Sequence, residues 1–288
     1  MKRCLNCGTG YSASTAECPS CGYAPSQFGG FPAYAPALAL ESPGFRREHF
    51  SQLAEHEANN FWFRARNVLI VDALKRYFPG MRSLLEIGCG TGYVLEGIAK
   101  TFPYVALTGT EIYVDGLNFA RERAPDAELL QMDARHIPFD QEFDVIGAFD
   151  VVEHIEEDEK VLAEMFRAVR PGGGVVLTVP QHPFLWSIQD EIACHVRRYV
   201  RTELETKLRR AGFTIVMTTS FVSLLLPLMA ISRRSKKTPP VDFDPAAELK
   251  LPPLLNAILY VVLRVETTLI RAGLRFPVGG TRLVVARK

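Results

Sequence analysis

Cysteine is scarce along most of this sequence, which has 288 residues. Beyond residue 21 only Cys89 and Cys194 occur, and each stands alone. A small secreted fold that depends on disulfides is therefore not expected. The first residues also lack the apolar stretch of a secretory signal. These two absences predict a protein of the reducing cytoplasm.

A strong net charge is also lacking, because 33 Lys and Arg residues nearly balance 32 Asp and Glu residues. Residues 1–24 contain only Lys2 and Arg3 as basic residues, which are too few for a phosphate-binding surface. Nucleic acid is therefore not an expected partner. In residues 221–288, by contrast, eleven basic side chains outnumber four acidic ones. This excess predicts an anionic ligand or surface near the C-terminal part of the chain.

The other four cysteines lie within the first 21 residues, in two Cys-x-x-Cys-Gly motifs. In a reducing compartment such motifs bind a metal ion, and two of them complete a tetrahedral site. The segment resembles the zinc-ribbon family, which implies that a structural Zn²⁺ is held by Cys4, Cys7, Cys18 and Cys21. Residues 1–24 are too few to bury a stable core, so the ion is expected to fold the ribbon. A protein partner for the ribbon is a further hypothesis.

Residues 25–44 are rich in Pro, Gly, Ala and Ser and are predicted to be a linker. Residues 45–288 are predicted to form the main domain. It begins with a helical region whose aromatic cluster, Phe61-Trp-Phe-Arg-Ala-Arg66, is interpreted as a core helix or as a lid over a pocket. Strand and helix patterns then alternate, which predicts a parallel α/β sheet with helices on both faces. Strands are expected at 83–87, 105–110, 127–131, 143–149, 174–179, 213–219 and 281–287, and helices at 93–101, 114–123, 157–169 and 202–211.

The strand at 83–87 leads into a turn with three glycines at alternating positions. They are Gly88, Gly90 and Gly92. A strand, a glycine turn and a helix form the ligand crevice of an open α/β sheet. The dinucleotide fingerprint would place its third glycine at position 93, where this chain has Tyr93, so NAD is disfavoured. Glu111 ends the next strand about twenty residues later, and an acid there accepts the ribose hydroxyls of an adenosine cofactor.

Further motifs accompany this turn at the ends of later strands. They are Met132-Asp-Ala134, Phe143-Asp-Val-Ile-Gly-Ala-Phe-Asp150, Val152-Glu-His-Ile155 and Arg170-Pro-Gly-Gly-Gly174. With Glu86-Ile-Gly-Cys-Gly-Thr-Gly92, they resemble the class I S-adenosylmethionine-dependent methyltransferase family. The resemblance implies a Rossmann-like sheet of seven strands, the seventh antiparallel, with S-adenosylmethionine as cofactor. It also implies a set of cofactor contacts, namely Glu86, Gly88, Gly90, Gly92, Glu111, Ile112, Asp133, Ala134 and Phe149.

The predicted activity is methyl transfer from S-adenosylmethionine to a small or lipid-linked acceptor, with a hydroxyl oxygen as the expected atom. The cofactor carries the electrophilic methyl group, so the protein must align the acceptor and remove a proton. The candidate bases are His154, His182 and His195. The segment Asp150-x-x-Glu-His resembles the metal site of ubiquinone-type O-methyltransferases, but a catalytic divalent metal is not expected. The alternative function is a non-catalytic binding module that uses the ribbon and an apolar insertion for assembly.

That insertion, about 221–278, separates the last two predicted strands, where the family fold needs only a short turn. It contains the apolar run Phe221–Ile231, the basic run 233–237 and a helical pattern over 254–276. The run around Pro227 is too short to cross a bilayer, so a transmembrane helix is not predicted. Apolar helices with basic residues predict contact with an anionic membrane surface, at the inner face of the membrane. A cap over the active site and a dimer contact are the alternatives.

Overall fold

The computed structural model describes residues 1–41, 47–234 and 250–288. The strands are β1 (Lys2–Arg3), β2 (Gly10–Tyr11), β3 (Ser26–Phe28), β4 (Phe31–Ala33), β5 (Ser83–Ile87), β6 (Ala106–Glu111), β7 (Glu128–Gln131), β8 (Phe143–Phe149), β9 (Val169–Pro180), β10 (Thr214–Phe221) and β11 (Thr281–Arg287). The helices are α1 (Pro36–Glu41), α2 (Arg47–His56), α3 (Phe61–Tyr77), α4 (Tyr93–Thr101), α5 (Val114–Arg123), α6 (Asp158–Ala168), α7 (Ile188–Ile192), α8 (Glu203–Arg210), α9 (Leu226–Arg234) and α10 (Pro253–Ala272).

The large sheet has the strand order β10-β11-β9-β8-β5-β6-β7-β4-β3. Strands β5 to β9 pair in parallel, and β11 lies antiparallel between β9 and β10. The seven strands β5 to β11 confirm the predicted sheet with its antiparallel seventh strand. The neighbours of β5 are β6 on one side and β8 on the other, so the strand order reverses there. A ligand crevice forms outside the carboxyl ends of the strands at such a point.

Helices cover both faces of the sheet. Consecutive residues of a strand point to opposite faces, so each strand contributes to two cores. Leu84 of β5 packs in one core with α3, α4, α5 and α10. The next residue, Leu85, packs in the other core with α6 and α8. Both side chains are fully buried. A strand buried on both faces reads as a continuous apolar run, which is why β5 was predictable with its observed bounds.

The linker prediction for residues 25–44 is wrong for part of that segment, where β3 and β4 form a hairpin. The hairpin extends the sheet, because Ala33 of β4 pairs in parallel with Gln131 of β7. The amide of Gln131 also accepts from the backbone N–H of Ala35 at 3.0 Å and donates to the Ala35 carbonyl at 2.8 Å. Two glycines with φ of 60° and 82° form the turn. The glycines that suggested a linker are therefore turn residues. The domain boundaries themselves stay a prediction.

The apolar insertion contains α9 and α10, and α10 packs along α3. By length and composition α10 could cross a membrane, although a core helix passes the same test. The predicted helical pattern over 254–276 is too long, because Gly273 ends the helix with φ of 113°. Arg275 therefore lies beyond the helix, where its guanidinium donates to the Tyr77 hydroxyl at 2.9 Å. The end of the basic run, 235–237, lies outside the described residues.

Candidate active site

The glycine turn after β5 lines a cleft of about 570 Å³ at the carboxyl edge of the sheet. All three of its glycines have positive φ. A Cβ on Gly88 would lie 2.6 Å from Cγ2 of Val151, so packing requires a glycine there. A Cβ on Gly90 would meet no atom within 4 Å. The backbone at Gly90 thus borders open space, and a ligand is able to lie directly against it.

Glu111, at the end of β6, joins this strand to the glycine turn. Its carboxylate accepts backbone N–H groups of Gly90 at 3.0 Å, Ile112 at 2.8 Å and Tyr113 at 3.3 Å. Burial raises the pKa of Glu111, and these three hydrogen bonds oppose the increase. The carboxylate lines the cleft beside Gly90 with acceptor capacity remaining. Glu111 therefore stands where the sequence predicted an acceptor for ribose hydroxyls.

Asp133 and Ala134 line the cleft just beyond β7. Burial alone would raise the pKa of Asp133, but hydrogen bonds from Arg135 and His136 lower it overall. The backbone N–H of Arg135 donates at 2.9 Å and its Nε at 3.0 Å to the same carboxylate oxygen. Asp133 is thus an ionised acceptor at the cleft edge. Phe149, buried at the end of β8, also lines the cleft.

Glu86 is a buried acid in β5 that borders the same cleft. Its Oε2 has no hydrogen-bond partner among the described residues. Burial raises the pKa of Glu86 to about 8, with Arg66 opposing and Glu111 adding to the increase. A buried carboxylate without a donor is unfavourable unless a cation or a donor binds there. Glu86 therefore fits the positively charged amino group of a methionine moiety.

Arg66 of α3 connects the wall of the cleft to the sheet, and sequence reasoning missed this role. It forms a salt bridge with Asp150, which follows β8 and also accepts from the Thr178 hydroxyl at 3.2 Å. Its guanidinium lies over the Trp62 ring, 4.5 Å from the centroid. Trp62 and Phe63 line the cleft, which favours the lid interpretation of the aromatic cluster. Arg66 and Asp150 are 84 positions apart, so no local pattern indicated the pair.

The cleft brings together two of the three candidate bases. His154 and His195 both line it, with their rings edge-to-face at 4.7 Å between centroids. Burial lowers the pKa of His154 to about 4, and His195 adds to the decrease. The residues that line the cleft do not include His182, whose ring stacks on Phe184 at 5.1 Å. The geometry therefore favours the first two histidines as proton acceptors.

The basic residues after His195 are engaged inside the protein. The Nε of Arg198 donates to Asp190 at 2.7 Å, and both side chains are buried. Arg197 pairs with Asp158 at 2.7 Å, and the Tyr199 hydroxyl donates to the same residue at 2.7 Å. These three side chains connect the loop to α6 and α7. All three side chains are thus paired within the protein.

The four cysteines of the ribbon converge as a metal site requires. The sulfur atoms of Cys4 and Cys21 are 3.5 Å apart, and those of Cys7 and Cys18 are 3.6 Å apart. Four sulfurs at about 2.3 Å from Zn²⁺ are separated by about 3.8 Å, so the cluster fits the ion closely. None of the four forms a disulfide. The ribbon packs against the main domain, where the Arg3 N–H donates to the carbonyl of Pro138 at 3.0 Å.

Comparison with known proteins agrees with this geometry. Residues 85–177 match the family described as a methyltransferase domain. A protein of Mycolicibacterium smegmatis, named as a probable S-adenosylmethionine-dependent methyltransferase, is 30% identical over 159 residues, which cover 54% of this chain and 60% of that protein. The phosphatidylethanolamine N-methyltransferase of Cereibacter sphaeroides is 40% identical over 101 residues, 33% of this chain and 48% of that protein. The chain thus spans about half the length of these relatives.

A solved structure shows the same fold around the matched region. Phosphoethanolamine N-methyltransferase 2 of Haemonchus contortus, in complex with S-adenosyl-L-methionine, superposes with a TM-score of 0.57 at 19% identity. The superposition covers 86% of this chain and 59% of that chain. The fold, the glycine turn and the matched family agree with one another. Residues 85–177 therefore match the methyltransferase-domain family, and the chain has the fold of an S-adenosylmethionine-dependent methyltransferase.

Proposed function

We propose that this protein transfers a methyl group from S-adenosylmethionine to a small or lipid-linked acceptor, with a hydroxyl oxygen as the leading candidate atom. The observation that carries the proposal is the composition of one continuous cleft. Gly90 and Glu111 line its wall at the glycine turn, and His154 and His195 line it as well. The predicted cofactor-binding motif and the candidate proton acceptors therefore share one cleft.

The residues present fit the cofactor. Glu111 would accept the ribose hydroxyls, Asp133 the adenine amine and Glu86 the amino group of the methionine moiety. Bound S-adenosylmethionine supplies a sulfonium that makes its methyl group electrophilic, so little further activation is required. Trp62 and Phe63 would exclude water from the reacting atoms.

His195 is the leading candidate for proton removal from a hydroxyl acceptor. Its Nδ1 lies 2.9 Å from a carboxylate oxygen of Asp190, and this hydrogen bond fixes the ring. A ring whose Nδ1 donates to a carboxylate presents the lone pair of Nε2. In the reaction the acceptor O–H loses its proton, the oxygen bonds to the methyl carbon and the carbon–sulfur bond breaks. His195 would orient the acceptor as well as remove its proton.

Cofactor binding should depend on pH through Glu86. Below its pKa of about 8 this acid is mainly protonated in the free protein. A cationic amino group favours the ionised form, so binding releases a proton and tightens as pH rises toward 8. The dissociation constant, measured calorimetrically from pH 6 to 9, is expected to fall by up to about tenfold per unit and to level off above pH 8. Glu86→Gln should remove this slope, and a flat wild-type profile would contradict the assignment.

The acceptor side of the proposal rests on an exposed apolar stripe along α10. Its members are Leu254, Ile258, Val261 and Val265, with exposed fractions of 75%, 53%, 60% and 50%. On α9, Leu228 and Ile231 are exposed at 53% and 68%. Such a face supports binding in the interface of an anionic membrane at the cytoplasmic side. Two similar proteins are named for phosphatidylethanolamine and phosphoethanolamine, which makes an amine the second candidate acceptor.

Two acidic substitutions on α10 test this membrane contact. Ile258→Asp combined with Val261→Asp is expected to lower the affinity for phosphatidylglycerol vesicles by about tenfold or more, because charge replaces apolar area at the interface. Vesicle co-sedimentation measures the fraction of protein bound to the vesicles. The matched control is Tyr104→Asp, because Tyr104 is an aromatic residue that is 96% exposed and lies outside α9 and α10. Equal binding by the wild type and the double variant would contradict the proposed contact.

Turnover distinguishes this enzyme from the alternative binding module. The full chain is incubated with methyl-labelled S-adenosylmethionine and either a total lipid extract or a water-soluble metabolite extract. The proposal expects label in a product of one extract and stoichiometric formation of S-adenosylhomocysteine. Cofactor binding without labelled product in either extract would favour the module that uses the ribbon and the insertion for assembly.

A further inference from the structure

The two cleft histidines adjoin an acid that the proposed chemistry does not explain. Glu153 lies in the short 3-10 helix Val152–His154 after β8 and is fully buried. Neither of its carboxylate oxygens has a hydrogen-bond partner among the described residues. The ionised form of a buried carboxyl group without a donor is strongly unfavourable unless a cation binds to it. Glu153 would therefore be ionised only beside a bound cation, for which it would be a ligand.

The cluster of Glu153, His154 and His195 has the dimensions of a metal site. One ligand atom from each residue lies within 4.8 Å of the others. The Nε2 of His195 is 4.0 Å from Oε1 of Glu153. Ligand atoms around a first-row ion at bonds of about 2.0–2.2 Å are separated by roughly 3–3.5 Å. Closure of the three side chains by about 1 Å would therefore complete the coordination.

The surroundings of His195 match those of a metal-bound histidine. Its Nδ1 is bonded to Asp190 at 2.9 Å, and Asp190 is in turn held by Arg198 at 2.7 Å and by Arg233 at 2.9 Å. A carboxylate on the far nitrogen fixes the ring and increases the basicity of the metal-binding nitrogen. His154 lies beside the backbone carbonyls of Ala193 and Cys194, which are also common partners of ligand histidines.

We propose that Glu153, His154 and His195 bind a divalent transition-metal ion, with Zn²⁺ as the best fit, in the wall of the cleft. Two imidazoles and one carboxylate suit Zn²⁺ and similar ions, whereas Mg²⁺ and Ca²⁺ prefer oxygen ligands. Three protein ligands leave a position open toward the cleft. The sequence predicted no catalytic metal, although Asp150-x-x-Glu-His resembles a known metal site, because nothing else in the sequence required an ion. It also did not place His195 beside Glu153.

The ion has a direct use in methyl transfer. An acceptor oxygen or nitrogen bound at the open position would have a lower pKa, and its proton would pass to solvent as the new bond to the methyl carbon forms. His195 would then hold the ion instead of acting as the base. This role rests on the proposed function, whereas ion binding itself does not.

Metal counting on the full chain tests the site. The protein is saturated with Zn²⁺, passed through a desalting column and measured for zinc per chain. We expect two equivalents in the wild type, one in the ribbon and one in the cleft. Glu153→Gln keeps the side-chain shape and should retain only the ribbon ion, whereas the matched control His182→Gln should retain both. Cys7→Ser should lose the ribbon ion and keep the cleft ion.

A spectroscopic titration covers the case in which a variant fails to fold. Co²⁺ added to wild-type protein with a zinc-filled ribbon should give weak visible bands of a nitrogen and oxygen site, without the intense sulfur absorption of the cysteines. His154→Gln, checked for folding by circular dichroism, should lose these bands. One zinc per chain and no visible bands in the wild type would overturn the proposal. S-adenosylmethionine binding is measured separately, so failure of the proposed function would leave this result interpretable.

Discussion

Glu111→Gln is expected to weaken S-adenosylmethionine binding by about 100-fold. The carboxylate accepts three backbone N–H groups, including that of Gly90, and faces the cleft with the remaining acceptor capacity. In the Gln variant, the N–H donor of the amide would face either the backbone N–H groups of the glycine turn or the ribose hydroxyls. Each hydrogen bond to a charged group contributes about 1.5–3 kcal/mol, so loss of two ribose contacts reduces affinity by about two orders of magnitude.

Isothermal titration calorimetry measures this change, with circular dichroism to verify the fold. Glu128→Gln is the matched control, because this acid begins β7 at an exposed position outside the cleft. It should bind the cofactor as the wild type does. If Glu111→Gln remained folded and bound with wild-type affinity, the cofactor would not contact the end of β6, and the assignment of this acid would be wrong.

Arg66→Met is expected to destabilise the domain by about 3 kcal/mol, a decrease in Tm of roughly 5–10 °C. The guanidinium is the salt-bridge partner of Asp150, and the two side chains are 9% and 17% exposed. Its loss leaves that carboxylate unpaired near the acid Glu153, and it also removes a positive charge that acts on Glu86 and Glu153. The partial exposure of Asp150 sets the estimate at the lower end of the range for buried pairs.

A double-mutant cycle separates the ion pair from simple packing. Combining Arg66→Met with Asp150→Asn should recover part of the stability that Arg66→Met loses, because the unpaired carboxylate of Asp150 is removed. Lys75→Met, on the exposed side of the same helix, should change Tm little. Additive losses in the double variant would indicate that the two side chains do not stabilise each other. Thermal unfolding followed by circular dichroism measures the stability of the wild type, of Arg66→Met, of Asp150→Asn and of the double variant.

Strands and their turns were predictable wherever a local pattern determined the structure. The continuous apolar run of β5 and the glycine turn after it required no tertiary information, and neither did the acid at the end of β6. The hairpin formed by β3 and β4 was not predictable, because its strands are short and β4 gains its partner from β7. The composition of a segment with many Pro and Gly residues does not reveal whether the segment pairs with the edge strand of a sheet.

The contacts that shape the cleft were missed for a related reason. Glu57 lines the cleft and is bonded to the Thr91 hydroxyl at 2.5 Å and to the guanidinium of Arg123. These partners come from three distant parts of the chain. The same is true of the cluster formed by Glu153 and His195. The sequence therefore predicted residues for the cofactor side of the site, whereas the acceptor side required the fold.

The central claim is that the turn between Glu86 and Gly92 holds S-adenosylmethionine. Calorimetric titration of the full chain with S-adenosylmethionine, and with NAD as the comparison ligand, tests it most directly. We expect one S-adenosylmethionine bound per chain and no measurable binding of NAD, because Tyr93 stands where a dinucleotide site needs its third glycine. Binding of NAD in its place, or of neither ligand to the folded protein, would contradict the assignment.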